Sequence, residues 1–106
     1  MNPIELEIKT STNQLIVKVK NHSFNEVSIK WICFSVKDPL LDNYNDIAKI
    51  KPSINLPSMK EFICEFDLMD IIKNFDLKTK FLIKICHSNN QIHCSKSFYI
   101  KDLINI

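Results

Sequence analysis

Apolar and charged residues alternate from the start of the chain. Ile4, Leu6 and Ile8 share one parity and Glu5, Glu7 and Lys9 the other, which predicts a half-buried strand. The polar run "STNQ" turns the chain, and "LIVKVKNH" repeats the pattern with Leu15, Val17 and Val19 opposite Lys18 and Lys20. After a second turn, "NHSFNE", comes the longest candidate strand, "VSIKWICFSVKD". Val27, Ile29, Trp31 and Cys33 hold one parity, and Ile32, Phe34 and Val36 the other. A change of parity inside a strand means either that both faces are covered or that a bulge re-aims the chain. Trp31, in mid-strand, is expected in the core.

Asp38-Pro39 ends that strand, and the 38–58 segment follows with Pro39, Pro52 and Pro57. A long irregular stretch in a small domain is usually functional or hides a short element. "DNYNDIAKI" is the candidate element: Asp42 is placed to cap it, and Tyr44, Ile47 and Ala48 fall at helical spacing. A strand between 47 and 57 is the competing expectation. "MKEFICEFDL" returns to strand alternation, with Phe62, Cys64 and Phe66 inward and Glu61 and Glu65 outward. "DLMDIIKNF" then switches to a helical stripe of Leu68, Ile71, Ile72 and Phe75, with Asp67 as N-cap and Asp70 at the third helical position. "FLIKICHS" and "QIHCSKSFYI" close the pattern, and the tail "KDLINI" is expected to extend the last strand or fray.

The pattern amounts to an all-β, antiparallel β-sandwich of about seven strands with one short helix near 68–75, filling residues 1–106 as a single domain. Strands that do not alternate with helices give antiparallel sheets, and short strands at this spacing favour a sandwich. The strand order, Trp31 in "SIKWICF" and a closing hairpin ending "KSFYI" resemble the immunoglobulin and fibronectin type III sandwiches. The resemblance is one of architecture and carries no catalytic motif. The second strand lacks a Cys to pair with Cys86, so the antibody-type inter-sheet disulfide is not expected. Lys84 stands where those domains place a Tyr two residues before the second Cys.

Composition narrows the function. The 106 residues include no Gly and carry a net charge of +2. Gly-rich phosphate-binding loops are therefore excluded, and turns that need a positive φ fall to Asn, Asp or another residue at some cost. All 14 basic residues are Lys, scattered among acids and apolar residues, so nucleic-acid binding is not expected. Ile, Lys and Asn are abundant, as in the products of an AT-rich genome. No stretch has the ~20 apolar residues of a membrane span. "MNPIELEIK" lacks the basic and apolar regions of a signal peptide, so a cytoplasmic location is expected. The four cysteines are then read as free thiols.

"CHSNNQIHC" (residues 86–94) carries the densest chemistry. A two-residue turn at Asn89-Asn90 sets Cys86 opposite His93 and Phe81 opposite Phe98, and separates polar from apolar faces well. A three-residue turn with the register one residue later sets Cys86 opposite Cys94 but pairs Lys84 with Lys96. Because side chains alternate, Cys86 and His87 face opposite ways in either register. All four side chains therefore cannot meet on one metal, and only Cys86 with His93 remains as a weak metal or nucleophile pair. No metal or other cofactor is expected, and no catalytic residue is assigned.

The 38–58 segment offers Leu40, Leu41, Tyr44, Ile47 and Ile50 as candidate protein contacts, because loops on rigid scaffolds commonly carry recognition. Sheet edges, "IELEIK" or "KSFYIKD", are a second route to a partner or to a homo-oligomer. The expectation is a small protein–protein interaction module: an adaptor, an inhibitor or an assembly subunit. A carbohydrate- or metal-binding domain is the alternative, and a Cys-dependent enzyme the third class.

Overall fold

A computed structural model describes residues 3–37, 40 and 43–104 of the chain. The first alternating runs become β1 (Ile4–Ser11) and β2 (Gln14–Asn21), antiparallel and in register from Ile4↔Asn21 to Ser11↔Gln14. The turn between them uses Asn13 at φ 62°, a left-handed conformation that asparagine adopts more readily than most residues other than glycine. β2 pairs on its other side with β6 (Glu61–Asp67), which gives a three-stranded sheet in the order β1-β2-β6.

The second sheet is built on β3 (Val27–Lys37). It pairs with β4 (Tyr44–Ile50) and β5 (Ile54–Leu56) on one side and with β7 (Lys80–His87) on the other. β8 (Gln91–Cys94) and β9 (Phe98–Tyr99) pair with β7. The larger sheet thus runs β4-β3-β7-β8, with β5 and β9 as short continuations. Every strand pair is antiparallel, and the two sheets pack on one apolar core. Leu15, Val17 and Val19 of β2 face Ile32 and Phe34 of β3 and Ile83 and Ile85 of β7, all fully buried. Phe34 bridges the layers, 4.9 Å from Phe81 and 6.2 Å from Phe66 between ring centroids. Each such side chain contributes about 1.5–3 kcal/mol by leaving water.

α1 (Leu68–Asn74) starts where the sequence places it, with the Asp67 carboxylate accepting from the Met69 and Asp70 amides at 3.0 and 3.4 Å. Leu68 and Ile71 are buried. The tail differs from expectation. It forms a second helix, α2 (Ile100–Ile104), which buries Ile100 and Leu103 and packs beside β1. Two apolar residues three apart seal the sandwich side as one helical turn, whereas a strand would point them to opposite faces.

The 44–50 run is a strand, and its helical spacing has a different origin. Ile47 is an extra residue, because Ser35 pairs with Asp46 while Phe34 pairs with Ala48. The bulge breaks the alternation and returns Ala48 and Ile50 to the core side. Asp42 lies outside the described residues. A second irregularity, between Ile29 and Trp31, resolves the parity change of β3. Val27 and Ile29 face the core before it, and Ile32, Phe34 and Val36 after it. Trp31 is thereby turned to the outer face and is half-buried, not in the core.

Candidate protein-contact site

α1 lies beside the edge strands of both sheets, β4 of the larger and β6 of the smaller. Phe66 of β6, Ile71 and Phe75 beneath α1, and Ile47 and Ala48 of β4 line an open groove of about 420 Å³. Asp67, Asp70 and Asn74 form its polar rim. The bulge that breaks β4 also turns Ile47 outward, leaving it 48% exposed at the groove. An apolar floor with an acidic rim suits apolar side chains of a partner flanked by a cation.

The residues expected to act together in the 38–58 segment are dispersed. Leu40 is 90% exposed. Leu41 lies outside the described residues. Tyr44 reaches Ser97 through hydroxyl groups 2.7 Å apart, and Ile50 packs against the core. Of the described candidates, only Ile47 joins the groove. Two other surface features were not singled out from sequence. The apolar floor of the groove comes from Phe66, Ile71 and Phe75, which look like ordinary core residues in their own elements. Phe24 stands 96% exposed in the turn after β2, and a lone aromatic inside "NHSFNE" was its signal.

The outer face of the larger sheet carries a charged cluster. The Ser35 hydroxyl donates to Asp46 at 2.7 Å, and Lys84 approaches the same carboxylate at 3.4 Å. The Ser35 bond, with a smaller contribution from Lys84, holds the Asp46 carboxyl below its usual range. Lys49 lies 4.6 Å from the Trp31 ring centroid, a cation–π contact. Beneath this layer Cys33 and Ser35 are fully buried. Burial pushes the Cys33 thiol upward, against its contact with Ser35, so it is held protonated. These groups satisfy one another, which reads as a cover over the sheet.

The 86–94 hairpin has a three-residue turn, as in the alternative, but neither expected register. Cys86 pairs with Ile92, Ile85 with His93 and His87 with Gln91, leaving residues 88–90 as the turn, with Ser88 and Asn90 at positive φ. Lys30 donates to the Asn90 side chain at 2.7 Å, and the Ser88 amide donates to the Ser28 carbonyl at 2.9 Å. The expected Cys86–His93 pair is therefore split: Cys86 faces outward with Ile92, and His93 lies on the other face with Ile85 and His87. Both His87 and His93 are shifted down by burial, and His87 further by the charge of His93. The expected Phe81↔Phe98 pairing is present, because an extra residue near Ser95 restores that register. There the Ile83 amide donates to the Ser95 hydroxyl at 2.9 Å, and the Ser95 amide donates to the Ile83 carbonyl at 2.8 Å.

Among the described residues no three His, Cys, Asp or Glu side chains converge on a point that suits a metal ion. Among them, too, no helix is long and apolar enough to cross a membrane. The described residues form an antiparallel two-sheet protein with an open apolar groove beside β4, β6 and α1. Compared with known proteins, the chain matches no family model and no curated protein.

Proposed function

We propose that this protein is a small cytosolic interaction module, an adaptor, inhibitor or assembly subunit, that grips another protein through the groove between β4, β6 and α1. The observation that carries the reading is the groove itself: apolar on its floor, acidic on its rim, and open at a point where both sheets end. The sheet orders β1-β2-β6 and β4-β3-β7-β8 support an immunoglobulin or fibronectin type III kinship, a scaffold whose members commonly act by contact. Four free thiols, three of them buried, suit a reducing compartment.

The test compares partners co-purified from the native host with wild-type protein, an Ile47→Asp/Phe75→Ala variant and a Phe24→Ala control. The expected result is one partner retained by wild type and control and lost with the groove variant, with all three proteins unfolding cooperatively. Retention by the folded groove variant would refute the assignment.

A further inference from the structure

We infer that the groove takes an extended segment that adds to the free edge of β6 as a fourth strand, with lysine or arginine alternating with apolar residues. The inference rests on the groove reading and adds the conformation and charge of the occupant.

Three observations carry it. First, β6 lies at the edge of its sheet and pairs only with β2 among the described residues, so alternate amide and carbonyl groups along it point away from β2. Such a row is a template for another chain. Second, this edge lacks the guards found elsewhere in the fold. β4 is bulged at Ile47 and followed by Pro52, and β1 has α2 packed beside it. β6 runs in unbroken register from Glu61 to Asp67 with no proline and no lysine.

Third, the outer face of this sheet is striped by charge, and the stripe stops one strand short. Glu5 pairs with Lys20, which pairs with Glu61, and Glu7 pairs with Lys18, which pairs with Ile63. Lys18 also bridges Glu7 at 3.4 Å and Glu61 at 4.0 Å. Glu5 and Glu7 of β1, Lys18 and Lys20 of β2 and Glu61 and Glu65 of β6 call for a basic neighbour opposite Glu61 and Glu65, since opposite charges across strands attract and like charges repel. The same rule disfavours a second copy of the chain. Two β6 strands paired about Cys64 would set Glu61 against Asp67 twice. On the inner side, a residue in line with Phe66 would point toward the groove floor and residues in line with Phe62 and Cys64 toward the core side of the sheet, so all three should be apolar.

The probe is a capped eight-residue peptide of four Lys-Val repeats, titrated into isotope-labelled protein while backbone amide resonances are followed. Saturable shifts centred on Glu61–Asp67, with slowed hydrogen exchange there, are expected. A Glu-Val repeat peptide should bind about tenfold or more weakly, because two cross-strand pairs change from attraction to repulsion. A peptide with four lysines followed by four valines should not bind β6. A Glu61→Lys/Glu65→Lys protein should reverse the preference. Equal binding of both repeat peptides, shifts centred on β1 or β8, or no saturation would each overturn strand addition. The two readings fail separately. If no peptide binds but partner capture still depends on Ile47, the groove stands and the added strand falls. If Lys-Val repeats dock on β6 with unchanged affinity for the Ile47→Asp/Phe75→Ala variant, the edge stands and the groove falls.

Discussion

Asn21 is the position where one side chain holds most of one end of the sandwich. It is fully buried at the end of β2. Its Nδ2 donates to the Asn25 carbonyl at 2.8 Å and to the Leu56 carbonyl at 3.0 Å. Its Oδ1 accepts from the Ser23 amide at 2.9 Å and the Ser23 hydroxyl at 2.7 Å. The turn after β2 and the end of β5 are thus tied to one amide. Asn21→Ala removes all four bonds, at about 1 kcal/mol net each. The single hydroxyl proton of Ser23, freed from Asn21, can donate instead to the Asn25 carbonyl 2.7 Å away, which lowers the expected loss to about 3 kcal/mol. With a urea slope of roughly 1.5 kcal/mol/M, the unfolding midpoint falls by about 2 M. Asn21→Asp keeps the shape but turns a carboxylate oxygen toward two carbonyl groups. Its cost is several kcal/mol at neutral pH, where the charge is buried. The folded state then favours the protonated acid, so the carboxyl pKa in the folded protein lies above the unfolded value of about 3.9. The folded form binds more protons between those two values, and stability relative to wild type recovers as pH falls through the window. Urea melts of both variants between pH 4 and 7 test this. A midpoint shift below about 0.5 M for Asn21→Ala, or an Asn21→Asp curve parallel to wild type, would refute the reasoning.

Two further outcomes follow from the burial pattern. His87 has a folded pKa below its ordinary value, so the unfolded chain takes up its proton first; stability should fall as pH drops from about 6.5, and His87→Gln should flatten the dependence between pH 7.5 and 5.5, with an unchanged slope counting against the buried neutral imidazole. Iodoacetamide at pH 8 should label Cys94 first, since it is exposed and the other three thiols are buried, with Cys64 pushed up to about 11 mainly by burial; labelling of Cys86 at a rate comparable with Cys94 in native protein, read by peptide mass, would contradict its placement.

Where one face of a strand meets the core, its alternation was legible from sequence. β1, β2 and β6 bury the parity the sequence marks, and Asp67 caps the helix it precedes. The failures cluster where an extra residue resets the parity. Lys30 in β3, Ile47 in β4 and the Ser95 region each shift the register by one. Trp31 consequently left the core, a strand looked helical, and Cys86 parted from His93. β8 had no burial to fix its register, since Ile92 is 58% exposed and Gln91 and Cys94 are exposed as well. Turn contacts from Lys30 and Ser28, distant in sequence, accompany the register adopted.

Local pattern determined the class of fold, the faces of β1, β2 and β6 and the capped helix α1, because burial on one face imposes a period that a sequence displays directly. Tertiary structure decided where the two sheets end beside each other. The groove takes Phe66 from one sheet, Ile47 from the other and Ile71 and Phe75 from the helix between them. Phe66, Ile71 and Phe75 read locally as core, and only the packing of two finite sheets leaves them facing an open side beside Ile47. The unpaired edge of β6 has the same origin, since an unused hydrogen-bonding row depends on which strands are neighbours and leaves no mark in the strand's own residues.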